Sequence, residues 1–243
     1  DHFNTYVAYR CTRPETMNDL ANSWARQIVA GAQYALGRTG PLSTMGLFVG
    51  ALVRSDRRLE RPDLQINMFV WAIKDRSRAG VIPQPFSAFS LTPVHLRPDG
   101  RGTVRLKSPD PLAAPEIRFN FLKSSYDYEA LIAGMRICRE IASQAALKPY
   151  IAEEVLPGPQ VTGEAELKAD IRARGVSNLH PVGTCRMGRE TDSVVDSQLR
   201  VHGVAGLRVA DASIMPVIVA GNTNAPSIMI GEKCADMVRQ AAA

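Results

Sequence analysis

Apolar residues recur along this chain with two different periods, and the two alternate in blocks. A helical period runs through residues 16–37, where Leu20, Trp24, Ile28 and Ala32 share a face until Gly37 and Gly40-Pro41 end it. The same period returns at about 126–145, with Leu131, Met135, Cys138 and Ala142 as its inner stripe. A shorter helix is marked by Leu167 and Ile171 and stops at Gly175. A final helix follows Pro226, a residue suited to a first helical turn, with Ile230, Cys234 and Met237 facing inward. Between the helices lie strand-like runs at about 64–73, 87–97, 103–107 and 117–121. Pro98-Asp99-Gly100-Arg101-Gly102 is a strong turn between two of them, and the small-residue stretch 40–50 reads as a loop. Strands in sequence with tight turns predict an α+β fold, an antiparallel sheet packed with helices. The C-terminal part behaves differently. Leu207–Ala210 reads as a strand, Asp211 as a turn and the residues after Pro226 as a helix, a unit belonging to another sheet.

Composition narrows this picture by exclusion. The chain has 243 residues, 45% of them hydrophobic, enough for one large or two small domains. It contains no apolar run of the roughly 18 residues that a spanning helix needs. The start, DHFNTYVAYRC, has neither a basic signal-peptide head nor an initiator Met, and is expected to belong to a fragment or processed chain. Net charge is +5, scattered apart from short clusters at Arg54–Arg58 and Arg76–Arg78. No dense basic face with interleaved aromatics marks a nucleic-acid site. Cys11, Cys138, Cys185 and Cys234 form no metal-binding or disulfide pattern, so free thiols in a cytoplasmic protein are expected.

Two stretches carry candidate chemistry. His180 stands in NLHPVGTCRMG, before Pro181 and Gly183. A histidine titrates near neutrality and can exchange protons, although one beside a tight turn often only satisfies a carbonyl. The second stretch is Gly221-Asn222-Thr223-Asn224-Ala225-Pro226. One Asn or Thr here could be an N-cap, but two asparagines exceed what a cap requires. A helix N-terminus with free N–H groups suits an anion, or a ring that becomes anionic on reduction.

Taken together, NLHPVGTCRMG, GLRVADASIMP, GNTNAPSIMIGEK, RGTVRLKSPDP with PEIRFNFL, and Asp1-His2 at the end of an NLQDH-like stretch resemble the glucose–methanol–choline family of flavoprotein oxidoreductases, in its choline dehydrogenase-like branch. The resemblance implies that residues 1–175 form mainly the substrate-binding domain and 176–243 a catalytic segment that completes an FAD-binding α/β domain. It implies FAD as cofactor, His180 as catalytic base and Asn224 as the second catalytic position. Asp211, Ala212, Asn222 and Thr223 would line the cofactor, although Asp211 could equally be a plain turn former. The Rossmann-type FAD domain with its G-x-G-x-x-G turn is missing from this sequence. The implied partners are therefore a small-molecule alcohol and an N-terminal FAD-binding half on a separate chain. Other outcomes are a non-catalytic fragment that binds no FAD alone, and a flavin-containing lyase of the same family. Quaternary ammonium substrates call for an aromatic cage, for which Trp24, Phe69, Trp71 and Phe86 are candidates, with core packing the commoner role for each.

Overall fold

The computed structural model describes every residue except Met45, Arg78, Ala79, Glu190 and Ala243; Arg78 of the second basic cluster therefore lies outside the described residues. The chain divides into two compact units. One, the sheet unit, holds residues 4–95 and 128–176; the other, the loop unit, holds 1–3, 96–127 and 177–243.

In chain order the elements begin with strands β1 (Phe3–Asn4) and β2 (Val7–Cys11), followed by helices α1 (Met17–Ala21) and α2 (Trp24–Gly37). Strands β3 (Leu47–Val53), β4 (Leu64–Phe69), β5 (Ile73–Ser77), β6 (Gly80–Pro83) and β7 (Ala88–His95) come next. Then follow β8 (Thr103–Arg105), β9 (Glu116–Arg118), α3 (Ser125–Ser143), β10 (Ile151–Leu156), α4 (Glu164–Arg174), β11 (Val176–Ser177) and α5 (Asn224–Ala242).

The sheet unit is built on β7, whose eight residues are all buried. It pairs antiparallel with β2 and with β4, and β3 and β10 extend the sheet on either side. The remaining places in the strand order fall to β1 and β11. A strand covered on both faces should be apolar, yet β7 carries Ser90, Thr92 and His95. Ser90 Oγ donates to Trp71 O at 2.9 Å, so its burial is paired rather than merely tolerated. Helix α3 brings Leu131, Met135, Cys138 and Ala142 inward, all buried, as its period predicted. Gly134 sets how closely it packs: a Cβ there would sit 2.5 Å from Pro93 Cβ on β7. The Arg139 guanidinium grips Glu154 of β10 through two bonds, at 2.7 and 3.0 Å. Helix α4 buries Leu167 and Ile171 and ends before Gly175, which is extended rather than left-handed. Its start is capped by Glu166, whose carboxylate accepts from Gly163 N at 3.2 Å.

Several local expectations fail for identifiable reasons. The 16–37 helix is two helices, because Ser23 caps a fresh start by accepting from Arg26 N. Of its expected inner stripe Leu20 is half-buried, but Trp24 and Ile28 face outward, 76% and 61% exposed, while Ala30 is buried instead. Residues 47–50, the end of the stretch read as a loop, instead open β3, which forms by pairing with β4, a ladder that the local sequence does not advertise. No strand forms at Leu207–Ala210. That segment makes only an isolated bridge, Arg200 to Arg208, since no neighbouring strand extends it. The β8–β9 hairpin exists, but all six of its residues are exposed rather than half-buried.

The loop unit relies on a small core of Val195, Leu199, Ile214, Met215 and Ile230, joined by half-buried Val182, Met187, Val209, Cys234 and Met237. The inward face expected of α5 is thus the observed one. All four cysteines are free thiols.

Candidate functional site

The residues proposed for chemistry from the sequence all lie in the loop unit. His180 sits in an irregular loop, half-buried, and its position is fixed by the first two residues of the chain. Asp1 Oδ1 accepts from His180 N at 2.9 Å, and Asp1 Oδ2 accepts from Ser177 Oγ at 2.5 Å. Asn178 N donates to His2 O at 2.9 Å. The ring Nδ1 atoms of His2 and His180 approach to 2.9 Å with their planes at 89°. The chain reaches this arrangement by turning at Leu179, whose φ of 60° is left-handed and therefore strained for a leucine. Such strain persists only where surrounding contacts over-determine the backbone, and the Asp1-His2 clamp supplies those contacts.

His2 is fully buried, and its Nε2 lies 3.0 Å from Val219 O. Burial, and after it the neighbouring His180 ring, hold the His2 pKa at about 4. Burial also lowers the pKa of His180 from its usual value, so the ring is neutral and able to accept a proton at neutral pH. His2 is the neighbour of His180 that sequence reasoning passed over. Its only signal was its place at the end of the NLQDH-like stretch.

Asp211 caps the short 3-10 turn Ala212–Ile214, accepting from Ser213 N at 2.7 Å, which is the turn-forming role allowed for it. Its other oxygen has no partner among the described residues. That turn packs against α5. It also binds the loop after His180: Cys185 N donates to Ser213 O at 3.0 Å and Met187 N to Ile214 O at 2.8 Å. Gly183 makes the close passage possible, with φ of 86° and Met215 O 3.3 Å from where a Cβ would stand. Asn224 is the first residue of α5, and Thr223 O accepts from Ser227 N and Oγ in the opening turn. The side chains of Asn222, Thr223 and Asn224 make no hydrogen bond with any described residue, so their polar groups remain available.

The structure therefore joins the two predicted stretches indirectly. His180 contacts His2, and His2 contacts Val219, two residues before Gly221. No hydrogen bond links His180 to Asn224 themselves among the described residues. The aromatic residues considered for a cage lie in the sheet unit and do not form one. Phe69 and Trp71 pair edge to face at 6.2 Å, Phe86 lies under the Arg10 guanidinium at 4.9 Å, and Trp24 points outward. An apolar cavity of about 490 Å³ in the sheet unit, lined by Met17, Leu20, Val29, Phe48 and Val70 among others, contains none of the predicted site residues. No helix among the described residues is long and apolar enough to cross a membrane.

Comparison with known proteins places these motifs. A family model described as GMC oxidoreductase matches residues 98–231. The chain is 38% identical over 239 residues to an oxygen-dependent choline dehydrogenase of Acinetobacter baumannii, covering 98% of this chain and 43% of that protein. A namesake from Pseudomonas fluorescens is 37% identical, with 98% and 41% covered. The chain thus spans less than half the length of these relatives. Among solved structures, a variant of Aspergillus oryzae formate oxidase aligns with a TM-score of 0.86 at 24% identity, covering 99% of this chain and 46% of that one. Pyridoxine 4-oxidase from Mesorbium loti aligns at 0.80 and 26%, covering 99% and 42%. The antiparallel sheet packed with helices is the architecture shared with these neighbours.

Proposed function

The chain belongs to the GMC oxidoreductase family, and we propose that it is the substrate-binding and catalytic part of an FAD-dependent alcohol oxidoreductase of the choline dehydrogenase-like branch. The observation that carries this reading is the His180 ring, neutral and half-buried, tied through His2 to the backbone that leads into the Asn222–Asn224 loop. On this reading the proton acceptor and the unspent amide and hydroxyl groups of that loop act on one substrate. FAD would be held in part by Asp211, Ala212, Asn222 and Thr223, of which the Asp211, Asn222 and Thr223 side chains keep free polar groups that fit a cofactor rich in donors and acceptors. When bound, FAD supplies the hydride acceptor that no side chain offers. The N–H groups opening α5 would favour negative charge beside them. His180 takes the proton of the substrate hydroxyl, and the Asn224 carboxamide orients that hydroxyl. The remainder of the cofactor requires a dinucleotide-binding half outside this chain, in keeping with the share of the relatives that the chain spans.

The test is stopped-flow reduction of the flavin by an alcohol in the FAD-loaded protein assembled with its dinucleotide-binding half. His180→Ala is expected to slow reduction by roughly 10²–10⁴-fold, the usual worth of a general base, with FAD retained. Asn224→Ala should cost less, because it loses orientation and not the proton acceptor. An unchanged rate in His180→Ala would overturn the assignment, and a flavin that no alcohol bleaches would point to a lyase instead.

A further inference from the structure

We propose that His2 is a positioning residue that sets the tautomer of His180, holding the proton on Nδ1 so that Nε2 is the bare, proton-accepting nitrogen. The inference rests on His180 being the base, and it says which atom of the ring does the work. The argument starts at Val219. A carbonyl oxygen can only accept, so His2 Nε2, 3.0 Å away, must carry a hydrogen and donate it. A neutral imidazole has one N–H, and the two carbonyls against the His2 ring, Val219 and Leu96, can only accept; with the hydrogen on Nε2, His2 Nδ1 is then a lone pair. It lies 2.9 Å from His180 Nδ1, and two lone pairs at that distance repel. His180 Nδ1 must therefore be the donor, and its Nε2 the free acceptor.

The opposite order fails at the buried end. If His2 donated from Nδ1, its Nε2 lone pair would face the Val219 carbonyl with no water to relieve the pair, since His2 is fully buried. Protonating both nitrogens of His2 is opposed by the same burial, which keeps the ring neutral down to acid pH. The Asp1 carboxylate leaves the ring nitrogens free for this arrangement. Asp1 spends its carboxylate on the backbone N of His180 and on Ser177 Oγ, leaving His2 to deal with the ring. The Asn178 amide nitrogen, placed 3.2 Å from the same Nδ1, is the group that opposes a proton there, and a proton on Nδ1 requires that carboxamide to present its oxygen instead. When Nε2 takes the substrate proton, His180 becomes a cation whose Nδ1–H still points at a neutral acceptor. No charge needs to move through His2.

This device differs from the carboxylate that orients a histidine in hydrolase triads, where the wrong tautomer costs about 10⁴-fold. A neutral imidazole is a weaker acceptor than a carboxylate, so a loss of roughly 10–100-fold is expected when His2 is removed.

The experiment is ring-15N spectroscopy of the histidine-labelled, FAD-loaded protein, with the His180 signals identified by their absence in His180→Gln. The expected result is a protonated Nδ1 and an unprotonated Nε2 on His180 at neutral pH. His2→Leu should slow flavin reduction by about 10–100-fold and let the Nε2–H form appear. His2→Asn, which places an amide oxygen where His2 Nδ1 stood, should restore most of the rate and the Nδ1–H form. If wild-type His180 carries its proton on Nε2, the proposal is overturned, and this measurement needs no variant of His2 to fold. An equal loss in His2→Asn and His2→Leu with the tautomer unchanged would also overturn it. These outcomes are separable from the earlier reading: an inactive His180→Ala with the wrong tautomer sinks only the role of His2, whereas an active His180→Ala sinks the base itself.

Discussion

The sheet unit and the loop unit solve the same problem in opposite ways. In the sheet unit, backbone groups pair with one another along β2, β4 and β7, and a helix with a regular apolar stripe covers the result. In the loop unit, residues 177–223 contain almost no regular elements. Their backbone groups pair across turns and with side chains such as Asp1, Asp211 and Asp196. The first arrangement spreads stability over many equivalent contacts. The second concentrates it in a few specific ones, which is why a histidine can be held there at a defined angle and distance. Candidate chemistry gathers where the chain is irregular but over-determined, as at the left-handed Leu179.

The comparison is sharpened first by truncating the sheet unit's core. Leu131 is fully buried on α3, and Leu131→Ala should cost about 2–5 kcal/mol in denaturant midpoints. The rate of flavin reduction in the folded fraction should stay near that of the wild type, because no site residue lies in that unit. A large fall in rate at unchanged stability would break the division of labour.

The next effect belongs to the loop unit and is read by pH. His2 titrates at about 4 in the fold against about 6.5 when unfolded. The unfolded chain therefore binds the proton first as pH falls, and stability drops between pH 6.5 and 4. The expected loss is about 3 kcal/mol over that window, from roughly 1.4 kcal/mol per pKa unit. Asp1 and His180 are the other titratable groups against His2, so the contribution is isolated as the difference between wild type and His2→Asn. Melts that run parallel in the two proteins from pH 7 to 4 would show that His2 is not buried neutral.

The smallest effect tests how closely the sheet unit is packed. Gly134→Ala places a methyl 2.5 Å from Pro93 Cβ, and α3 must shift to admit it. Overpacking of this kind should destabilise by about 1–3 kcal/mol, even though alanine is the better helix former. A gain in stability would mean that α3 rides higher on β7 than described.

Much of the sheet unit was legible from sequence because its signals are local. The stripe Leu131, Met135, Cys138 and Ala142 specified α3 and its buried face, and Leu167 with Ile171 did the same for α4. The strand-like run at 87–97 anticipated β7. Strand β3 escaped because Gly50 and its small neighbours read as a loop until β4 pairs with them. The outward turn of Trp24 and Ile28 escaped because a period identifies a helix face without saying what the face meets.

The motifs around His180 and Asn224 were fully visible along the chain, and they alone were enough to suggest a family and a chemistry. The chain's linear order could not reveal that His2, 178 residues away, meets the His180 ring, or that Val219 fixes its proton. Side-chain identity and short-range period are properties of the sequence. The direction of a hydrogen bond between two imidazoles depends on what lies behind each ring, and only the folded loop unit, by burying His2 against a carbonyl, decides it.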